Sequence, residues 1–326
     1  MHVLKPILKL VRIQNLLIII ATQYLMRYCI IQPFLKLNDF HLQLNNFHFF
    51  LLVLATVLIA AAGYVINDYF DTRTDRLNKP DKVVIDHSVS RRKAILLHNV
   101  LNIAGVGIGI YLSFYINVPG LSLIWLMAAG FLWFYSTNYK RQFLIGNLIV
   151  SLLTGVVPIL VIIYEMPLLN EEYGKIMIDA NASFNYIFTW ISGFGFFAFL
   201  TTLIREIIKD SEDFEGDSAF GMNTLPIVVG TKYTKISLYS LITALIALLI
   251  WVLFEFILYS GNETDLITAF YFLFFLILPA AYLFVKIFKA TTKENYHWAS
   301  QLTKFIMLTG LLYALVVRYI VIHKLL

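Results

Sequence analysis

Long, unbroken apolar runs dominate this chain and limit what it can become. A helix needs about 20 mostly apolar residues to cross roughly 30 Å of hydrocarbon. Nine runs approach or exceed that length, at 13–34, 47–67, 94–116, 118–136, 143–164, 184–204, 236–260, 265–287 and 303–323. A transmembrane barrel would show short segments of alternating polarity instead, and stretches such as 51–62 and 266–285 do not alternate. The chain therefore reads as all-α, a polytopic membrane protein with nine transmembrane helices. Composition agrees. Of 326 residues, 60% are hydrophobic and 14% charged, with a mean hydropathy of +0.77, whereas soluble domains carry about 25% charged residues. The one cysteine, Cys29, excludes a disulfide framework and a cysteine-ligated cluster.

Charge then orients the spans, because basic residues collect in cytoplasmic loops. With the N-terminus inside, every second loop joins it. That side holds all 25 Lys and Arg residues except Arg27, Lys36, Lys175, Arg318 and Lys324. Acids such as Glu165, Glu171, Glu172, Asp179, Glu263 and Asp265 fall in the opposite loops. The expectation is an N-in, C-out protein of the cytoplasmic (inner) membrane whose chemistry faces the cytoplasm. The basic, apolar start imitates a signal peptide, but no small-residue cleavage site follows, so it is kept as the first span. Arg27, inside a span, reads as snorkelling or paired. The basic residues follow topology and form no separate domain, so nucleic acid is not an expected partner. No linker or appended domain interrupts the chain. It reads as one membrane-embedded domain over 1–326, built from two similar halves of about 1–164 and 165–326.

Acids are unevenly placed. Five of the 20 lie within 68–86 and six within 206–217. Asp68, Asp71 and Asp75 form a D-x2-D-x3-D pattern, and Asp210, Asp213 and Asp217 repeat it. On a helix, positions i, i+3 and i+7 share one face. Each cluster is therefore expected to project three carboxylates from the inner end of one helix, the second or the sixth. Gathered carboxylates near hydrocarbon need a neutralising cation. Oxygen donors without His or Cys suit Mg²⁺, which typically uses one or two carboxylates plus substrate phosphates. A diphosphate bridged by metal ions fits this donor set, and Arg73, Arg76, Lys79, Lys82, Lys140, Arg205 and Lys209 flank the clusters as anion donors. An ion-coupled transporter is the rival class, but its acids would sit near the midplane rather than at helix ends. His87 reads as a solvated loop histidine, and His98 and His297 show no metal-ligand spacing.

These residues resemble the UbiA-type intramembrane prenyltransferases. The family's first motif, N-D-x-x-D-x-x-x-D, is met by Asn67, Asp68, Asp71 and Asp75, and its second, D-x-x-D-x-x-G-D, by Asp210, Asp213, Gly216 and Asp217. Arg12 with Asn15, Tyr135-Ser136, Lys140-Arg141, Gly146-Asn147 and Thr224-Leu225-Pro226 are smaller signals of the same kind. The resemblance implies nine helices around a cavity and Mg²⁺-dependent transfer of a prenyl group from a polyprenyl diphosphate, with Asp68, Asp71, Asp210 and Asp213 as the catalytic carboxylates. By residue match the metal set is Asn67, Asp68, Asp71, Asp75, Asp210, Asp213 and Asp217. Candidates for holding diphosphate or phosphate are Asn67, Arg12, Arg76, Lys79, Lys82, Lys140 and Lys209. The run from Arg205 to Asp217 looks most like the digeranylgeranylglyceryl phosphate synthase branch, whose acceptor is the hydroxyl of a prenylated glycerol phosphate. That branch's Arg-Pro-Ile-Pro-x-Gly stands here as Lys82-Val83-Val84-Ile85-Asp86-His87, without the Pro and Gly that shape the loop. The alternative acceptor is aromatic, such as 4-hydroxybenzoate or a dihydroxynaphthoate. Membrane lipids are the remaining expected partner.

Overall fold

The computed structural model describes residues 4–78, 83–258 and 265–325. Among them no strand forms, and nine helices are long and apolar enough to span a membrane. They are α1 (Ile13–Lys36), α2 (Asn46–Arg76), α3 (Arg91–Tyr115), α4 (Pro119–Thr137), α5 (Ile145–Asp179), α6 (Asn185–Glu212), α7 (Leu225–Glu255), α8 (Leu266–Lys289) and α9 (Lys293–His323). A short helix, Leu4–Leu10, precedes α1, and another, Phe214–Ala219, follows α6.

Several helices outrun the apolar stretches that announce them, because backbone hydrogen bonding continues through polar turns beyond the hydrocarbon. α2 runs on to Arg76 and α6 to Glu212, which places the acidic clusters on helix rather than loop. α5 continues to Asp179 with Pro158 and Pro167 inside it. Glu165, Glu171, Glu172 and Asp179 are therefore helical, a correction to their placement in a loop. Glu263 lies outside the described residues. α7 starts well before 236, with extended Thr224 at its cap and Pro226 in the first turn, where a missing N–H costs nothing. Gly230, at φ 76°, breaks the helix soon after.

The chain divides into two compact units. The first comprises Met1–Arg27, His41–Lys140 and Val157–Thr189, the second Tyr28–Phe40, Arg141–Val156 and Trp190–Leu326.

In the first unit, small residues let helices approach, as expected where lipid removes the hydrophobic drive for helix association. A Cβ at Gly109 of α3 would stand 2.3 Å from Trp125 Cγ of α4. Trp125 has no room to retreat, since its indole N–H donates to the Tyr164 hydroxyl, itself 2.7 Å from Ser113 Oγ. Gly109→Ala should therefore destabilise the protein by about 1–3 kcal/mol, the usual cost of overpacking. Gly107→Ala, where nothing lies within 4 Å, should be neutral or slightly stabilising. Thermal unfolding of both variants in one detergent checks the pair.

The unit also contains a buried ion pair. Arg27 Nη1 lies 3.2 Å from Glu165 Oε2, with side chains 2% and 0% exposed. Glu165 Oε1 accepts the backbone N–H groups of Gln43 and Leu44, Arg27 donates to the Leu44 carbonyl, and its guanidinium stacks 4.4 Å over the Phe49 ring. The pair thus fixes the segment that enters α2.

In the second unit, Gly155 of α5 faces the Gly195 carbonyl and Phe199 of α6. Polar bonds join α8 to α9, with the Tyr271 hydroxyl donating to Thr309 O at 2.7 Å and Thr309 Oγ1 to Phe275 O at 2.9 Å.

Candidate functional site

The first motif occupies the last turns of α2. Asn67 and Asp71 are buried, while Asp68 and Asp75 are half-buried. A single continuous helix carries all four, as the i, i+3, i+7 spacing demands. Thr72 Oγ1 bonds back to the Asp68 and Tyr69 carbonyls, each at 3.1 Å.

Two cations from distant segments meet these carboxylates. Arg12 Nη2 donates to Asp68 Oδ1 at 2.8 Å, and its guanidinium lies 5.0 Å from the Tyr64 ring centre. Arg12 is the hinge between Leu4–Leu10 and α1, with φ 53°, a left-handed conformation costly for a side chain with a Cβ. The bond to Asp68 and the Tyr64 ring are what hold it there. Lys140, following α4, donates from its ammonium to Asp71 Oδ2. Burial disfavours the Lys140 ammonium, but Asp71, with help from Tyr135 and Asp75, more than reverses this and raises its pKa above the ordinary lysine value. Lys140 therefore stays a cation and is no general base.

The 83–90 loop is shaped by other means than Pro and Gly. Val84, Ile85 and Val89 pack into one apolar cluster with Leu10, Val11, Leu16, Ala61, Val65 and Ala94. The turn closes through Ser88 N–H on the Val84 carbonyl at 2.8 Å, with Asp86 at φ 68°. Asp86 takes Arg91 at 3.1 Å and Arg76 at 3.6 Å. Arg76 thus serves the loop rather than the motif carboxylates. His87 is exposed on that turn. Lys79 and Lys82 lie outside the described residues.

The second motif departs from the expected geometry. Asp210 sits in the last turn of α6, but the helix ends at Glu212 and Asp213 adopts φ −94°, ψ 10°, capping Phe214–Ala219. Gly216 and a buried Asp217 belong to that short helix. The three carboxylates therefore come from two helices and their joint, not one face of one helix. The interruption lies next to a run of like charges, Glu212, Asp213 and Glu215, which repel in any continuous turn. Met222 N–H on the Asp217 carbonyl at 3.0 Å and Gly221 at φ 64° complete the turn back towards α7.

Partners of this motif were mostly hidden in the sequence. Asn147, at the start of α5, donates from Nδ2 to Asp210 Oδ2 at 2.8 Å. Lys209 bonds both Glu206 oxygens, at 3.0 and 3.1 Å, and Arg205 Nη1 reaches Glu206 Oε1 at 3.3 Å. Lys209 is therefore placed on Glu206. His297 of α9 lies 2.9 Å from Glu212 Oε1. Arg205, Lys209 and Gly146-Asn147 had left a sequence trace, but their pairings with Glu206 and Asp210 had not.

Among the described residues, no group of three or more His, Cys, Asp or Glu side chains is arranged to hold a metal ion by itself. Asn67 Oδ1 is nonetheless buried and accepts no hydrogen bond among them, an uncommon state for a buried amide. With carboxylates as its neighbours on α2, it is the donor type a hard cation takes together with substrate oxygens.

The spans define an integral membrane helical protein with a carboxylate-rich helix end in each of its two units. The chain belongs to the UbiA prenyltransferase family, whose model matches residues 39–310. It is 32% identical over 194 residues to a digeranylgeranylglyceryl phosphate synthase of Methanothermobacter thermautotrophicus, covering 59% of this chain and 60% of that protein. The chain thus matches about 60% of the length of such curated relatives. A solved structure described as concerning digeranylgeranylglyceryl phosphate synthase in membranes aligns over 97% of this chain and 99% of its own, with 25% identity and a TM-score of 0.61. A UbiA homolog from Archaeoglobus fulgidus, solved bound to GPP and Mg²⁺, shares the fold at 15% identity and TM-score 0.55, over 95% of this chain and 99% of that one.

Proposed function

We propose that the chain is a Mg²⁺-dependent prenyltransferase that moves a geranylgeranyl group from its diphosphate to the hydroxyl of geranylgeranylglyceryl phosphate. One observation carries this reading: each unit bears an oxygen-only motif of the same spacing, and each motif is met by nitrogen donors from elsewhere in its unit. Relatives named as digeranylgeranylglyceryl phosphate synthases, and a family structure bound to GPP and Mg²⁺, support donor and acceptor classes.

Asn67, Asp68, Asp71 and Asp75 in one unit, and Asp210, Asp213 and Asp217 in the other, are the residues that would hold the cation in each. When bound, Mg²⁺ supplies Lewis-acid stabilisation of the charge gathering on diphosphate oxygens. Arg12 and Lys140 add fixed positive charge for the same oxygens, with Lys79 and Lys82 as further proposed donors to the anion, whereas Arg76 is engaged by Asp86 and Lys209 by Glu206. The donor C1–O bond breaks with its electron pair leaving on the diphosphate. The acceptor oxygen then bonds C1 and releases its proton. Apolar helix walls keep water from competing for the allylic cation. The two motifs mark two similar halves, and the reading takes the N-terminus and both motifs to face the cytoplasm.

The test is purified protein with geranylgeranyl diphosphate, Mg²⁺ and an acceptor panel of geranylgeranylglyceryl phosphate, 4-hydroxybenzoate and dihydroxynaphthoate, read by mass spectrometry. A single ether adduct that disappears with EDTA and returns with added Mg²⁺ is expected. Adducts on the aromatic acids instead would replace the acceptor. Diphosphate left intact under every condition would remove the transferase reading.

A further inference from the structure

Arg205 is a cation inside a membrane-spanning helix, two turns before the end of α6, and only 26% of its side chain is exposed. Such a group is costly unless it has a partner. Glu206 supplies one on the Nη1 side at 3.3 Å, but Glu206 is shared with Lys209. Arg205 Nε is buried and has no hydrogen-bond partner among the described residues. An unmade bond from a charged donor is expensive. The Nε edge of a guanidinium is also half of the fork that grips two oxygens of a phosphate at once.

Spacing adds direction. Arg205 and Lys209 are i and i+4 on α6, so they share a face, and Glu206 draws both side chains together. Asp210 belongs to the neighbouring face with Glu206 and already accepts from Asn147.

We infer that Arg205, with Lys209, forms a subsite for the phosphate monoester of the acceptor, and so selects phosphorylated over unphosphorylated alcohols. The inference rests on the transferase reading for the identity of the acceptor, but binding tests it without turnover. The affinity of detergent-purified protein for geranylgeranylglyceryl phosphate, for the same lipid without phosphate, and for inorganic diphosphate would be measured by ligand-induced thermal shift. Wild type should bind the phosphorylated lipid at least about tenfold more tightly than the alcohol, the size of a lost charge-assisted bond. Arg205→Gln should erase that preference, and Arg205→Lys should restore part of it, because charge returns without the fork. A preference kept in Arg205→Gln overturns the subsite. So does an equal loss of affinity for inorganic diphosphate, which would assign Arg205 to the donor. Phosphate-dependent binding without product in the transfer assay would leave the subsite standing and remove the transferase reading.

Discussion

Asp71→Asn and Asp210→Asn should each lower prenyl transfer by about 10²–10³-fold or more, the range seen when one group stabilising a developing anion is removed. Both changes keep side-chain shape and remove a charge. In one unit, Lys140 loses the carboxylate that keeps its ammonium charged, but its partial exposure lets water compensate. In the other, an amide oxygen can still accept from Asn147 Nδ2. Melting temperatures should therefore stay near wild type while kcat falls, and the Mg²⁺ concentration needed for half-maximal rate should rise in both variants. The two positions lie in different units, so the paired result matters. If Asp210→Asn kept its rate within a few-fold while Asp71→Asn lost it, the second motif would have no part in the transfer.

What the sequence revealed of this protein follows from range. Local patterns were legible. Nine apolar runs became nine spans, and Asn67 to Asp75 fell on one helix because that spacing is a property of three turns of backbone. The end of α6 was less so, since a break at Asp213 depends on repulsion among neighbours and on where Asp217 finds burial. Long-range pairings were not legible. Asn147 meets Asp210 across 63 positions and Arg27 meets Glu165 across 138, and no periodicity encodes either. Glu165 was misplaced for a related reason. A hydropathy window reads a carboxylate as an exit from the membrane, whereas an arginine from another helix lets it stay buried. The 83–90 loop shows the converse, a turn whose usual Pro and Gly are absent and whose shape comes from three buried aliphatic residues and one left-handed aspartate.

Glu165→Leu and Arg27→Leu should each cost about 3–5 kcal/mol of stability, because each leaves the other charge buried and alone. The double variant is the informative one. Replacing both members of a buried ion pair by apolar residues of similar size is often neutral or stabilising, so the ionic part of the loss should return. It should not return completely. The pair also binds the backbone of the segment entering α2, through the N–H groups of Gln43 and Leu44 and the Leu44 carbonyl. Leucine satisfies none of these, and a buried orphaned polar group costs about 1–3 kcal/mol. The double variant should thus unfold between wild type and the singles, with a coupling energy clearly favouring the intact pair, as measured by a double-mutant cycle of unfolding in detergent. Hydrogen exchange supplies the second readout: amides at 43–45 should lose protection in all three variants. A double variant as stable as wild type, with those amides still protected, would show that the segment is held by packing on Phe49 and its neighbours, and that the ion pair contributes nothing to it.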